Sequence, residues 1–264
     1  MKAYIEFLGL PGAGKTTAAR ELCRYLKRSG HNVLQDEEAL YAALKRQSRW
    51  HDLRYPIRFC SYERGRRWLY DVYRQPRFAY EPLNRFLSVH GGMREALGAI
   101  LRHPETFQDS ALLVKWLIRL YTWYQLAAEN LHRDEILVLD EGFCSRALSV
   151  FGYVEGSPDS ARLQDYIGHV PAPSAVICVE APAESRRKRL AERGCPTRLK
   201  NAGDKRRREL DSNFEVCLSL AAAGLKARRI PVVTVDNAGS LERLQSALRG
   251  IASGLFRATG TPEQ

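Results

Sequence analysis

The chain has 264 residues with 45% hydrophobic content, enough for one large domain with a proper core or a core with a sizeable insertion. A net charge of +11 favours anionic partners, from nucleotides to nucleic acid or an anionic membrane surface. No stretch has the roughly 18 apolar residues of a membrane span, and the N-terminus runs straight into a strand pattern with no room for a signal peptide, so a cytoplasmic protein is expected. Six cysteines (Cys23, Cys60, Cys144, Cys178, Cys195, Cys217) lie scattered without a C-x-x-C pair, and six histidines are equally dispersed. Reduced thiols follow, with neither a disulfide framework nor a zinc site.

The first strand pattern, 3–8, is apolar, β-branched and aromatic. It leads into Gly9-Leu10-Pro11-Gly12-Ala13-Gly14-Lys15-Thr16, which fits G-x-x-x-x-G-K-[ST]. Ala18, Ala19, Leu22, Cys23 and Leu26 then recur at helical spacing. A strand, a glycine turn and a helix N-terminus together aim successive backbone N–H groups at one point, where a polyphosphate sits. Gly9, Pro11, Gly12, Ala13, Gly14 and Thr17 form the cradle with Lys15 and Thr16. Lys15 is expected to reach the β- and γ-phosphates, and the Thr16 hydroxyl to hold Mg²⁺. The octet predicts binding of a nucleoside triphosphate such as ATP.

A second strand, 32–35, ends in Gln35-Asp36-Glu37-Glu38. In open α/β sheets ligands gather outside the carboxyl ends of strands, so Asp36 or Glu37 is a candidate general base. Acidic residues opening a helix serve its dipole equally well. Residues 37–133 carry no clear strand and read as a helical insertion, large enough to hold an acceptor. Within it, Leu112-Leu113-Val114-Lys115-Trp116-Leu117-Ile118-Arg119-Leu120-Tyr121-Thr122-Trp123 reads as the central packing helix, with a membrane-surface helix as the alternative. Tyr62, Arg64, Arg66, Arg67 and Trp68 are candidates for recognising an aromatic or anionic acceptor.

The third strand pattern, 135–140, is an apolar run ending in Asp140-Glu141-Gly142. This is the Walker B arrangement, in which Asp140 holds Mg²⁺ or orients an acceptor hydroxyl. Its alternative role is to cap a helix starting near Phe143. After a fourth strand, 174–180, nearly half of residues 186–208 are Lys or Arg. Arg186, Arg189 and Arg193 follow i, i+3, i+7, and a break at Gly194-Cys195-Pro196-Thr197-Arg198 opens a loop. An Arg-rich lid over the triphosphate would supply charge to the transferring phosphoryl group and exclude water; a solvated face or a nucleic-acid patch are the alternatives. A fifth strand, 230–236, starts at Pro231, and a helix over 240–255 closes the pattern. Strands alternating with helices predict an α/β fold with a five-stranded parallel sheet in three layers.

In this order the motifs resemble P-loop kinases of nucleosides and nucleotides, most nearly the thymidylate kinase-like group. Carrying the resemblance are the octet 9–16, Leu139-Asp140-Glu141-Gly142-Phe143-Cys144-Ser145, Val179-Glu180-Ala181-Pro182-Ala183-Glu184, and Val235-Asp236-Asn237-Ala238, about half the chain in all. The resemblance implies a P-loop kinase using ATP and Mg²⁺, with Lys15, Thr16, Asp140, Arg189, Arg193 and Arg198 as its catalytic and phosphate-binding set. It also implies that the loop at Asn237 packs against adenine. Glu141 stands where thymidylate kinases carry arginine, Gln35-Asp36-Glu37-Glu38 replaces their Arg-Glu-Pro, and the Glu-Arg-Ser of deoxynucleoside kinases is absent. The mechanism therefore carries over while the substrate stays open: a small-molecule hydroxyl or phosphate acceptor first, nucleic acid second. The absence of N-K-x-D and L-S-G-G-Q argues against GTPases and transporter ATPases; a P-loop ATPase or nucleotide switch is the third reading, and a homodimer stays open.

Overall fold

A computed structural model describes residues 3–47, 61–65, 69, 76–102, 110–193 and 203–257. Strands β1 (Ala3–Leu8), β2 (Asn32–Gln35), β3 (Glu135–Leu139), β4 (Ala175–Glu180) and β5 (Val232–Asp236) form one sheet in the order β2-β3-β1-β4-β5. Every neighbouring pair is parallel. Pro231 lies just outside β5 rather than opening it; its carbonyl accepts from Val176 N at 2.8 Å, a contact that needs no N–H from proline.

Helices cover both faces, because alternate residues of each strand point to opposite sides. Ile5 and Phe7 of β1 pack with Ile136, Val138, Ile177 and Val179 beneath α1 (Lys15–Arg28) and α10 (Leu241–Arg257). On the other face Tyr4 and Leu8 meet Leu137, Leu139 and Val176 under the remaining helices. All described residues between β2 and β3 lie in helices or their connections: α2 (Asp36–Gln47), a single turn Tyr62–Gly65, α3 (Pro76–Val89), α4 (Gly91–Arg102) and α5 (Ser110–Asn130). The apolar 112–123 stretch sits inside α5, with Leu113, Leu117, Tyr121 and Thr122 buried, so its bulk serves as core. After β3 come α6 (Phe143–Phe151) and α7 (Ser160–His169), then α8 (Ala183–Arg193) and α9 (Asp204–Ala227) flanking β4 and β5 in sequence. Among the described residues no helix is long and apolar enough to cross a membrane.

One residue breaks the apolar pattern of β1. Glu6 is fully buried on the face of Tyr4 and Leu8, and both carboxyl oxygens accept from the first amides of α6: Phe143 N at 2.8 Å and Cys144 N at 2.7 Å. A helix N-terminus leaves such donors without partners, and a carboxylate there also meets the positive end of the helix dipole. Gly142 makes this approach feasible, since a Cβ there would stand 2.4 Å from the Glu6 carboxyl carbon. Ser145 adds a bond to Phe7 O at 2.8 Å, so β1 holds the start of α6 at successive residues. The capping role considered for Asp140 therefore falls to Glu6. From the opposite side Phe143 stacks on Phe86 of α3 (5.7 Å, 10° between planes) and Tyr121 of α5 (5.9 Å, 16°). Such aromatic pairs contribute about 0.5–1.5 kcal/mol each beyond their burial.

Burial pushes the Glu6 carboxyl up from 4.5 to about 7, against the downward pull of Cys144 and the two amides. Between those values the group is ionised in the unfolded chain and protonated in the fold, so its contribution to stability is full below the lower value and is lost as pH rises to the upper one. Denaturant unfolding of the wild type and Glu6→Gln, from about pH 4.5 to about pH 8, should show their stability difference moving by roughly 3 kcal/mol in favour of Gln. A difference independent of pH would contradict the shifted carboxyl.

Candidate functional site

At the carboxyl end of β1 the chain turns through the octet into α1. Gly12 (φ 79) and Gly14 (φ 98) occupy the left-handed region that favours glycine. A Cβ on Gly12 would meet Arg186 O at 2.6 Å, and one on Gly14 would meet Asn237 Nδ2 at 2.2 Å. Without a side chain Gly14 offers α1 no cap, and no acidic residue sits in its first turn. The N-terminal donors and dipole of α1 are thus left to an external anion, whereas those of α6 are sealed by Glu6.

A cavity of ≈ 570 Å³ opens over this turn, within the range of small-molecule sites. Gly9, Pro11, Gly12, Gly14, Lys15, Thr16 and Thr17 line it together with Arg189 and Arg193 of α8. Ala13 is buried beneath the loop instead. Lys15 Nζ donates to Gly9 O at 2.8 Å. Burial lowers its pKa, while Glu141 and Asp140 pull it back up.

Asn237, after β5, is buried against the octet: its Nδ2 donates to Ala13 O at 2.7 Å. Arg189 completes the brace, with Nη1 donating to Ala13 O at 3.2 Å and Nη2 to Asn237 O at 2.8 Å. Arg193 stands exposed at the last turn of α8. Arg186 parts from the expected common face. It is buried, 3.4 Å from Glu215 of α9, and takes no place in the cavity lining. Arg198 and the rest of 194–202 lie outside the described residues, as do Arg66, Arg67 and Trp68.

A second cavity, ≈ 370 Å³, adjoins the first at the carboxyl ends of β2 and β3. Its polar lining is Asp36, Glu37, Asp140, Glu141, Arg119 and Arg146, and Trp116, Trp123 and Tyr124 supply aromatic walls. Of the acidic cluster after β2, Asp36 and Glu37 face this space, while Glu38 turns to Lys27 of α1 at 2.7 Å. Asp36 takes φ 37, unusual for a residue with a side chain and of a kind that gathers at functional sites. Its carboxyl is raised well above the ordinary range by burial and by the charge and hydrogen bond of Asp140 beside it. Glu37 is engaged by Arg119 (3.7 Å) and by the Tyr62 hydroxyl (3.4 Å), which gives Tyr62 a place next to the cavity.

Trp116, Glu141 and Arg146 line both cavities. Arg146 went unnoticed in the sequence, where it is one more arginine on an amphipathic helix. Its Nη2 donates to Glu141 Oε2 at 2.8 Å, and its guanidinium carbon lies 4.7 Å from the centre of a Trp116 ring. Glu6 left a fainter trace, a carboxylate inside an apolar strand.

Two side chains near the octet carry donors of the kind a divalent cation takes. The Thr16 hydroxyl and Asp140 carboxylate are hard oxygen donors suited to Mg²⁺. Among the described residues no three His, Cys, Asp or Glu side chains gather as ligands, so phosphate oxygens and water would complete the shell.

No protein-family model matches the chain, and no curated protein matches it in sequence. Among solved structures it is similar to a deoxyadenosine kinase from M. mycoides with bound dCTP: 12% identity, 95% of this chain and 99% of that chain covered, TM-score 0.40. It is also similar to a deoxyadenosine kinase from M. mycoides with products dCMP and a flexible dCDP bound: 13% identity, 96% and 99% covered, TM-score 0.41.

Gly14→Ala would drive a methyl group into Asn237 and disturb the brace. Binding of a fluorescent ATP analogue should weaken at least about tenfold with the far-UV spectrum unchanged, given that a tenfold loss needs only about 1.4 kcal/mol. Unchanged affinity would count against the octet as the nucleotide cradle.

Proposed function

We propose that the protein is an ATP-dependent phosphotransferase that delivers the γ-phosphoryl group to a hydroxyl of a small molecule. The observation that carries this reading is the meeting of two chambers of opposite character. Among the described residues the first is lined by Lys15, Arg146, Arg189 and Arg193 with Glu141 as its one carboxylate; the second by Asp36, Glu37, Asp140 and Glu141 with Arg119 and Arg146. A triphosphate suits the first. The second would repel a phosphate acceptor and suits a neutral or cationic alcohol, with Trp116, Trp123 and Tyr124 to hold a flat or apolar body. The motifs shared with thymidylate kinase-like enzymes support phosphoryl transfer, and this acidic chamber speaks for a hydroxyl acceptor rather than a nucleotide phosphate.

In the proposed reaction the acceptor oxygen bonds to the γ-phosphorus as the bond to the β,γ-bridging oxygen breaks. ADP leaves with the electron pair, and the hydroxyl proton passes to a carboxylate. Asp36 is the proposed base, because it lines the acceptor cavity while Glu37 is held by Arg119 and Tyr62. Lys15 and Arg193 hold the phosphates, while Arg189 and Asn237 keep the loop in shape. Thr16 and Asp140 would hold Mg²⁺, which when bound neutralises charge on the phosphate oxygens. The helices between β2 and β3 form the acceptor side.

ADP release from Mg·ATP should rise with one class of alcohol in a panel of nucleosides, nucleoside monophosphates, sugars, amino-alcohols and DNA. Lys15→Ala should abolish that turnover, and Asp36→Asn should lower kcat about 10²–10⁴-fold with ATP affinity kept. Turnover with monophosphates alone would overturn the hydroxyl assignment, and stimulation by DNA alone would move the acceptor to nucleic acid.

A further inference from the structure

The transferring phosphoryl group must cross from the cationic chamber to the acidic one, and the side chains shared by both are Trp116, Glu141 and Arg146. Arg146 is the cation among them. From this placement we propose that Arg146 is a catalytic residue: its guanidinium bonds the oxygens of the phosphoryl group at the point of transfer. The inference rests on the phosphotransferase reading and goes beyond it, since the loop lysine and the α8 arginines are placed on the nucleotide side only.

Four observations carry it. Arg146 comes from the second turn of α6, whose first turn is fixed by Glu6 and Ser145 to β1, the strand that leads into the octet. Its position relative to the γ-phosphate subsite is therefore set by one short, buried connection. Two further partners aim the head: Glu141 accepts from Nη2 at 2.8 Å, and the Trp116 ring lies under the guanidinium at 4.7 Å. A planar guanidinium held at one edge and one face keeps its other donors in a fixed direction. The Nε of Arg146 is buried and has no hydrogen-bond partner among the described residues. Finally, Arg146 lines the first cavity together with Lys15 and Arg193, so the three cations border one space.

Chemically Arg146 makes and breaks no covalent bond. As the γ-phosphorus moves from the β,γ-bridging oxygen to the acceptor oxygen, negative charge spreads over its three remaining oxygens, and Arg146 donates N–H bonds to them. Planar fork donors are suited to that geometry and strengthen as the charge develops. Glu141 would serve as the positioning residue that keeps the guanidinium directed while no phosphate is present.

The test compares wild type with Arg146→Met, which keeps an apolar stem against Trp116, and with Arg146→Lys, which keeps the charge and loses the fork. Turnover is read as ADP release with the alcohol giving the fastest rate in the panel, or with water as acceptor where no alcohol exceeds it. Binding is read separately with a fluorescent ATP analogue. Arg146→Met should lose about 10³-fold in kcat, the scale of an arginine acting on transferring phosphate, with nucleotide affinity changed less than about threefold. Arg146→Lys should recover no more than about a tenth of the lost rate. A structural role alone would lower nucleotide affinity and thermal midpoint together with kcat, and Arg146→Lys would then restore all of them; either that pattern or Arg146→Met turning over within about threefold of wild type overturns the inference. Wild type that binds the analogue and turns over while the Met variant matches it sinks this assignment alone. Wild type that neither binds the analogue nor releases ADP sinks the phosphotransferase reading, and this inference with it.

Discussion

The bond between the Glu6 carboxyl and the first amides of α6 is the constraint on which the site depends. It spans two segments 137 and 138 residues apart in sequence, and it ties the strand that feeds the octet to the helix that follows Asp140. Break it, and the turn Asp140-Glu141-Gly142 loses its fixed height above the sheet, and with it the heading of Arg146. The aromatic stack of Phe86, Tyr121 and Phe143 closes the same joint from the helical side. The helices between β2 and β3 are thereby coupled to the sheet through α6 rather than resting on it loosely.

That joint also explains why two neighbouring helix N-termini at one sheet edge behave differently. Both α1 and α6 start at the carboxyl ends of central strands, and each has dipole and amide donors to offer. An internal carboxylate occupies one, which leaves the donors of the other without a side-chain cap. The separation of charge follows from it: cations gather over α1, carboxylates at the ends of β2 and β3. Asp36 and Asp140 are held side by side, and burial together with the charge of Asp140 raises the pKa of Asp36.

Some of this was legible in the residues alone. The octet, the near-continuous apolar runs of β3 and β4, and the alternation of strands with helices fix a parallel α/β sheet with a glycine turn between β1 and α1, because they depend on short-range periodicity and on backbone angles that glycine permits. The acidic cluster after β2 could be read as a set. Which members face inward could not, since Glu38 is drawn off by Lys27 on α1 while Asp36 and Glu37 line the cavity. The run Arg186, Arg189, Arg193 shared a helical face by spacing, yet the face divides: Arg186 is buried beside Glu215 of α9, Arg189 braces the octet and Arg193 reaches the last exposed turn.

What the sequence determined by itself was local: which segments are strands, which turn carries the glycine-rich octet, and which strand ends carry carboxylates. Tertiary structure alone decided which charges meet. Glu6 and α6, Asp36 and Asp140, Asn237 and Ala13 are all partners far apart along the chain, and their pairing follows from the strand order β2-β3-β1-β4-β5. A lone arginine on α6 carries no signal of its own. It became a candidate because the fold sets it on the wall between two cavities whose opposite charge no single segment contains.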